Sequence, residues 1–67
     1  MNGLMNEPIT EIDLENRTCN VLMRAGIETV GELSELSIND LIKVRGLGRR
    51  ALDDILERLA ENGIVLQ

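Results

Sequence analysis

Val44-Arg45-Gly46-Leu47-Gly48-Arg49-Arg50-Ala51-Leu52 constrains this chain more than any other stretch. Two glycines flank one apolar residue, two arginines follow, and an apolar helical pattern then begins. Gly46 and Gly48 carry no Cβ, so the backbone can turn sharply and another molecule can come close. The helix that starts near Gly48 has unpaired N–H groups and a partial positive charge at its first turn. Arg49 and Arg50 add two full charges there. The pattern predicts an anion site, and the anion that suits such a hairpin is a nucleic-acid phosphate. Taken alone, Gly-Leu-Gly also reads as a plain tight connection between helices. Arg45 before it and the two arginines after it favour phosphate contact.

The rest of the chain reads as helices around that hairpin. Met1 to Glu7 shows no periodicity and reads as a flexible leader, leaving residues 8–67 as one helical domain. Ile9, Ile12 and Leu14 pin an extended or single-turn segment. A first helix is expected over Asn16 to Ala25, with Asn16 as N-cap, Leu14, Val21, Leu22 and Ala25 on its apolar side, and Gly26 ending it in a left-handed conformation. Thr29-Val30-Gly31-Glu32 is a capping box for a short second helix with Val30, Leu33 and Leu36 inward. Ser37 caps a third, whose apolar residues are Ile38, Leu41 and Ile42 and whose first turn holds Asp40. Leu52, Ile55, Leu56 and Leu59 fall at i, i+3, i+4 and i+7, which predicts a helix from about Arg49 to Glu61, ended by Asn62-Gly63. Ile64 and Leu66 return to the core. No segment alternates as a strand does. The expected fold is all-α, a compact four- to five-helix domain with a helix-hairpin-helix element of the SAM-domain-like kind.

Composition excludes most chemistry. A 67-residue chain has no room for a deep cleft and buries only about 60% of its unfolded surface. It lacks His, Phe, Tyr and Trp, and Cys19 is its only cysteine. No internal disulfide is possible, a zinc site lacks ligands, and no histidine exists to activate a thiol. Neither a cofactor nor catalysis is expected, and Cys19 reads as a small buried side chain. Nothing resembles a signal peptide or a membrane span, so the expected location is the cytoplasm. The net charge of −5 is unevenly spread. Residues 1–16 contain Glu7, Glu11, Asp13 and Glu15 and no basic residue, whereas residues 41–52 contain Lys43, Arg45, Arg49 and Arg50 and no acidic one.

Two further features bear on function. Arg17 sits in the first turn of a helix, where a cation opposes the dipole. It reads either as a solvated partner of Asp13 or Glu15, or as an arginine placed to enter a narrow, electronegative DNA minor groove. Glu11-x-Asp13-x-Glu15 reads either as a solubilising surface or as a docking patch for a basic protein.

The run from Glu11 through Arg17, Asn20, Leu22, Gly26, Ile27, Thr29, Val30 and Glu32 to Leu33 resembles the first half of the C-terminal domain of the bacterial RNA polymerase α subunit. Asp40 through Gly46-Leu47-Gly48-Arg49-Arg50-Ala51-Leu52 is similar to that family's Leu-Gly-basic-basic-Ser-Leu segment. The resemblance covers roughly residues 8–66. The resemblance implies four helices plus a nonstandard turn, and binding of A·T-rich upstream promoter DNA through the minor groove. It implies groove contacts from Arg17 and Asn20, and backbone contacts from Gly48 and Arg50 with Gly46 and Arg49 beside them. It also implies docking of σ factor at Glu11 and Asp13 and of transcription activators around Ser37, Asn39 and Asp40. RNA polymerase subunits are implied partners wherever the module belongs to a full α subunit.

Ala51 departs from the family's serine. That serine's hydroxyl helps hold a phosphate, and its absence should weaken the contact by about 1 kcal/mol. No assembly domain precedes the module in this sequence, which leaves both a piece of a longer protein and a free-standing product open. Two other readings also stand beside the leading one: a helix-hairpin-helix accessory domain of a repair or recombination protein, and a protein–protein adaptor that binds no DNA.

Overall fold

The computed structural model describes residues 3–67. Two single turns of 3-10 helix, Gly3–Asn6 and Ile9–Ile12, precede four α-helices: α1 (Asn16–Arg24), α2 (Val30–Ser34), α3 (Ile38–Ile42) and α4 (Arg49–Glu61). Among the described residues there is no strand, only a bridge between Pro8 and Thr29. The domain is all-α, as its periodicity predicts. Its radius of gyration, 10.6 Å, matches the roughly 11 Å of a compact protein this long.

The core is aliphatic and draws on nearly every element. Ile9, Leu22, Val30, Leu33, Leu41, Ile55 and Leu59 are fully buried, with Ile12, Leu14, Cys19, Ile27 and Leu66 around them. On α1 the buried face is Thr18, Cys19 and Leu22, whereas Val21 is half-buried and Ala25 exposed. The expected apolar side is thus corrected. Val21 is turned toward the hairpin, where its Cγ2 lies 3.8 Å from the point a Cβ on Gly46 would occupy. Ile42 also differs from expectation. It ends a five-residue helix whose inward face is taken by Leu41, and it is 58% exposed.

Helix ends follow local chemistry. In α2, Glu32 N–H donates to Thr29 Oγ1 (3.1 Å) while Glu32 Oε1 accepts from the N–H groups of Thr29 (3.0 Å) and Glu28 (2.9 Å). Ser37 and Asp40 repeat the reciprocal pattern on α3, at 3.1 and 3.0 Å. The backbone donors hold both carboxyls below the usual carboxylate range, Glu28 and then Thr29 acting on Glu32 and Ser37 acting on Asp40. The long helices α1 and α4 both close with a left-handed glycine. Ile27 N–H donates to Leu22 O past Gly26 (φ 85°), and Ile64 N–H donates to Leu59 O past Gly63 (φ 78°). Each apolar residue beyond its glycine is thereby folded back onto the core.

Residues 3–7, read from the sequence as part of a flexible leader, make contacts with α2. Gly3–Asn6 lies against α2, with Ser34 Oγ, which donates to Gly31 O (2.9 Å), 3.4 Å from Met5 Sδ, and Val30 N–H donating to Glu7 O (2.9 Å). A Cβ on Gly31 would sit 2.7 Å from Met5 O, so the turn docks where α2 has no side chain. One turn is too short to show periodicity, and its partner is a backbone surface far along the sequence. Met1 and Asn2 lie outside the described residues.

Candidate nucleic-acid interface

The hairpin begins where α3 runs out. Val44 N–H donates to Leu41 O (3.0 Å) and Leu47 N–H to Val44 O (3.2 Å), closing a turn with Gly46 at φ 88°. Any side chain at position 46 would be strained by that φ. Gly48 is different. Its φ and ψ, −82° and 176°, are ordinary extended values, and a Cβ there would meet nothing within 4 Å. Neither conformation nor crowding inside the protein requires glycine at 48, so its bare backbone is useful chiefly to something arriving from outside.

Gly48 is the N-cap of α4 and supplies no capping side chain. The first-turn N–H groups therefore keep their hydrogen-bonding capacity. On α1 the N-cap is Glu15, which corrects the expectation for Asn16, now the first helical residue. Helix α1 has no side-chain cap either. The Glu15 N–H instead donates to Asp54 Oδ2 of α4 at 3.0 Å. Asp54 in turn lies 3.6 Å from Arg58 Nε, and Arg58 Nη1 reaches Glu61 Oε1 at 3.0 Å. The Glu61 carboxylate, first by hydrogen bond and then by charge, raises the Arg58 pKa.

The four helix starts fall into two kinds. Those of α2 and α3 are closed by reciprocal caps with Glu32 and Asp40 in the first turn. Those of α1 and α4 hold no acid in the first turn; they hold Arg17 and Arg49-Arg50 instead. Arginine at a helix N-terminus opposes the dipole and brings no folding benefit from it. What it creates is a concentrated positive field beside unpaired amides.

These two starts meet at one open groove of about 320 Å3, lined by Glu15, Arg17, Thr18, Val21, Gly46, Gly48, Arg50 and Ala51. Arg17, Gly46, Gly48 and Arg50, singled out from sequence, are thus brought together. The Arg50 side chain is 90% exposed and pairs only loosely with Glu15, Nε to Oε1 at 3.8 Å, so solvent leaves it nearly free to move. Asn20 is exposed one turn beyond Arg17 and does not line the groove. Arg49 lines a different one, across Gly48, with Ile42, Leu47, Leu52 and Asp53. Sequence reasoning missed Glu15 as an acid inside the cationic groove. It also missed Asp54, although a carboxylate flanked by Ala51 and Ile55 on the apolar helix was a readable signal.

The candidate docking residues lie elsewhere. Glu11 and Asp13 are exposed on the second 3-10 turn and at its end, where Asp13 takes a left-handed φ of 61°. Ser37 and Asp40 have their side chains engaged in capping, while Asn39 is exposed between them. Cys19 is buried, and that burial, followed by the Asp54 charge, pushes its thiol pKa up, away from the reactive thiolate. Among the described residues no three His, Cys, Asp or Glu side chains gather to hold a metal, and no helix is long and apolar enough to cross a membrane.

Residues 1–61 match the family described as the C-terminal domain of the alpha subunit of bacterial RNA polymerase. The sequence is 46% identical over 59 residues to the DNA-directed RNA polymerase subunit alpha of Fusobacterium nucleatum subsp. nucleatum, covering 88% of this chain and 18% of that protein. It is 45% identical over 64 residues to the subunit of Moorella thermoacetica, covering 96% and 20%. Against the subunit of Desulforudis audaxviator it is 42% identical over 66 residues, covering 98% and 21%. The chain spans about a fifth of the length of these relatives. On these matches, it belongs to the family of the C-terminal domain of the bacterial RNA polymerase alpha subunit.

Proposed function

We propose that this protein is a DNA-binding and protein-docking module of bacterial transcription that sets the α1–hairpin groove against A·T-rich upstream promoter DNA. The observation that supports this most is the meeting of two helix starts, with arginine and no acid in either first turn, beside the open backbone of Gly48 and with Glu15 as the one acid of the groove. Arg17 enters the minor groove, whose narrow A·T-rich form draws arginine by its enhanced negative potential. The α4 first-turn amides and Arg50 take phosphate oxygens, which fixes register without reading bases. Asn20, one turn along α1, faces the same duplex, and Arg49 adds charge beside it.

Glu11 and Asp13 offer an acidic surface to a basic region of σ factor, steering encounter more than adding affinity. Asn39, with Ser37 and Asp40 behind it, faces activators. As part of an alpha subunit the module works with the other polymerase subunits and carries out no catalytic step itself. Few phosphate contacts make the isolated domain a weak, salt-sensitive binder. A tether to the polymerase raises its effective concentration at the promoter.

An amide-shift NMR titration at low salt, with an A-tract duplex and a G·C duplex, tests the reading. Shifts at Arg17, Asn20, Gly48 and Arg50 should be larger with the A-tract, and Arg17→Ala should remove that preference. Equal response to both duplexes would favour a generic helix-hairpin-helix, and silence with both would leave only protein docking.

A further inference from the structure

Gly48 is a ridge between two grooves of opposite character. On one side lie Glu15, Arg17 and Arg50. On the other, a cavity of about 420 Å3 is lined by Ile42, Leu47 and Leu52, with Gly48, Arg49 and Asp53. Successive helical residues point about 100° apart, which sends Arg50 to the first groove and Arg49 to the second. The apolar side chains of the second are not all satisfied within the domain, since Ile42 is 58% exposed.

We propose that this second groove binds an acidic amphipathic helix of a partner protein, with apolar anchors on Ile42, Leu47 and Leu52 and a carboxylate on Arg49. Charge complementarity selects the occupant. The hairpin beside the groove, residues 42–49, holds Lys43, Arg45 and Arg49 and no acid, which outweighs Asp53, the one carboxylate of the lining, on a body whose net charge of −5 repels acidic proteins elsewhere. A second copy related by a two-fold axis would set that basic hairpin against its own equivalent, and a basic helix would face it directly. An apolar stripe at i, i+4 and i+7 with flanking glutamates meets both the floor and the rim. The two grooves share only Gly48, and of the residues that would hold the partner helix only Arg49 also serves the DNA reading. A partner seated here lies beside a bound duplex rather than in its place.

The test uses the labelled protein and a synthetic amphipathic helix with leucine at i, i+4 and i+7 and glutamate beside them, plus a counterpart with lysine for glutamate. Saturable shifts at Ile42, Leu47, Arg49 and Leu52 are expected with the acidic helix and not with the basic one. Arg49→Glu should weaken the acidic helix by about tenfold. Ile42→Ser, at an exposed position the fold does not need, should abolish its binding and leave the duplex titration unchanged. No shifts, equal shifts with both helices, or shifts centred on the other groove would overturn the proposal. Shifts at these residues that grow with the concentration of the protein alone would assign the groove to self-association and overturn it too. Duplex binding, measured separately, reports on the DNA reading whichever way this falls.

Discussion

Gly46 and Gly48 stand two residues apart and are glycine for different reasons, and alanine at each separates folding from binding. At Gly46 the backbone sits at φ 88°. A Cβ in the left-handed region costs about 1–2 kcal/mol, so Gly46→Ala should lower the melting temperature by roughly 4–16 °C for a domain this small. At Gly48 the backbone is extended and a Cβ meets nothing. Alanine there is a poorer N-cap than glycine by about 0.5–1 kcal/mol, but it removes about 0.4–1 kcal/mol of unfolded-state freedom. Stability should therefore stay within about 0.5 kcal/mol of the parent. Binding should not. On the proposed reading, the added methyl would stand between a phosphate and the α4 amides and forfeit one charge-assisted hydrogen bond. At about 1.5–3 kcal/mol, the loss is roughly 10- to 150-fold in affinity.

The protein has no aromatic residue, so circular dichroism would follow unfolding and anisotropy of a labelled A-tract duplex would follow binding. Affinity within about twofold of the parent for Gly48→Ala, at unchanged stability, would refute a backbone–phosphate contact at this residue. A loss of stability above about 1 kcal/mol would refute the open space assigned to its Cβ.

Other perturbations read other parts of the molecule. Glu15→Gln removes the acid 3.8 Å from Arg50; a phosphate then meets one repulsion fewer, worth about 1 kcal/mol in water, and duplex affinity should rise about fivefold, whereas weaker binding would place the DNA elsewhere. Gly31→Ala would strengthen an undocked helix by about 0.5–1 kcal/mol, but with Met5 O 2.7 Å from the new Cβ it should destabilise the domain and speed amide exchange at Val30; a more stable variant with unchanged exchange would show that the N-terminal turn is not held there. Glu32 and Asp40 have depressed native pKa values, so their caps contribute fully above the unfolded values, near 4.5 and 3.8, and are lost as pH falls through the lower native ones. Denaturant midpoints should decline below about pH 4.5, less steeply in Glu32→Gln, and a flat profile to about pH 3 in the parent would count against the caps.

Local signals were the legible ones. The i, i+3, i+4, i+7 pattern of Leu52, Ile55, Leu56 and Leu59 needs only the sequence, as do the Thr29–Glu32 box and the closing glycines 26 and 63. What stayed hidden depends on residues distant in sequence. The start of α1 is fixed by Asp54, 39 positions beyond Glu15, so local capping preference pointed to Asn16. The docking of Gly3–Asn6 depends on the missing side chain of Gly31. For the candidate site, Arg17, Gly46, Gly48 and Arg50 could be named because their chemistry is conspicuous. That Arg49 falls on the far side of Gly48 follows from helical geometry alone and could have been deduced; the pairing of Glu15 with Arg50, 35 positions on, could not.

The hydrogen bond from Glu15 N–H to Asp54 has a consequence for the entropy of association. It ties the start of α1 to the body of α4, so the helices bearing Arg17 and Arg50 already hold their separation in the free domain. A ligand entering the groove meets two helices already joined to each other. What remains to be frozen is the rotamer freedom of two arginine side chains, about 1–3 kcal/mol in all. Loosening that tether, which adds to the shared core of Leu22, Ile55 and Leu59, would make the same contacts weaker without removing any of them.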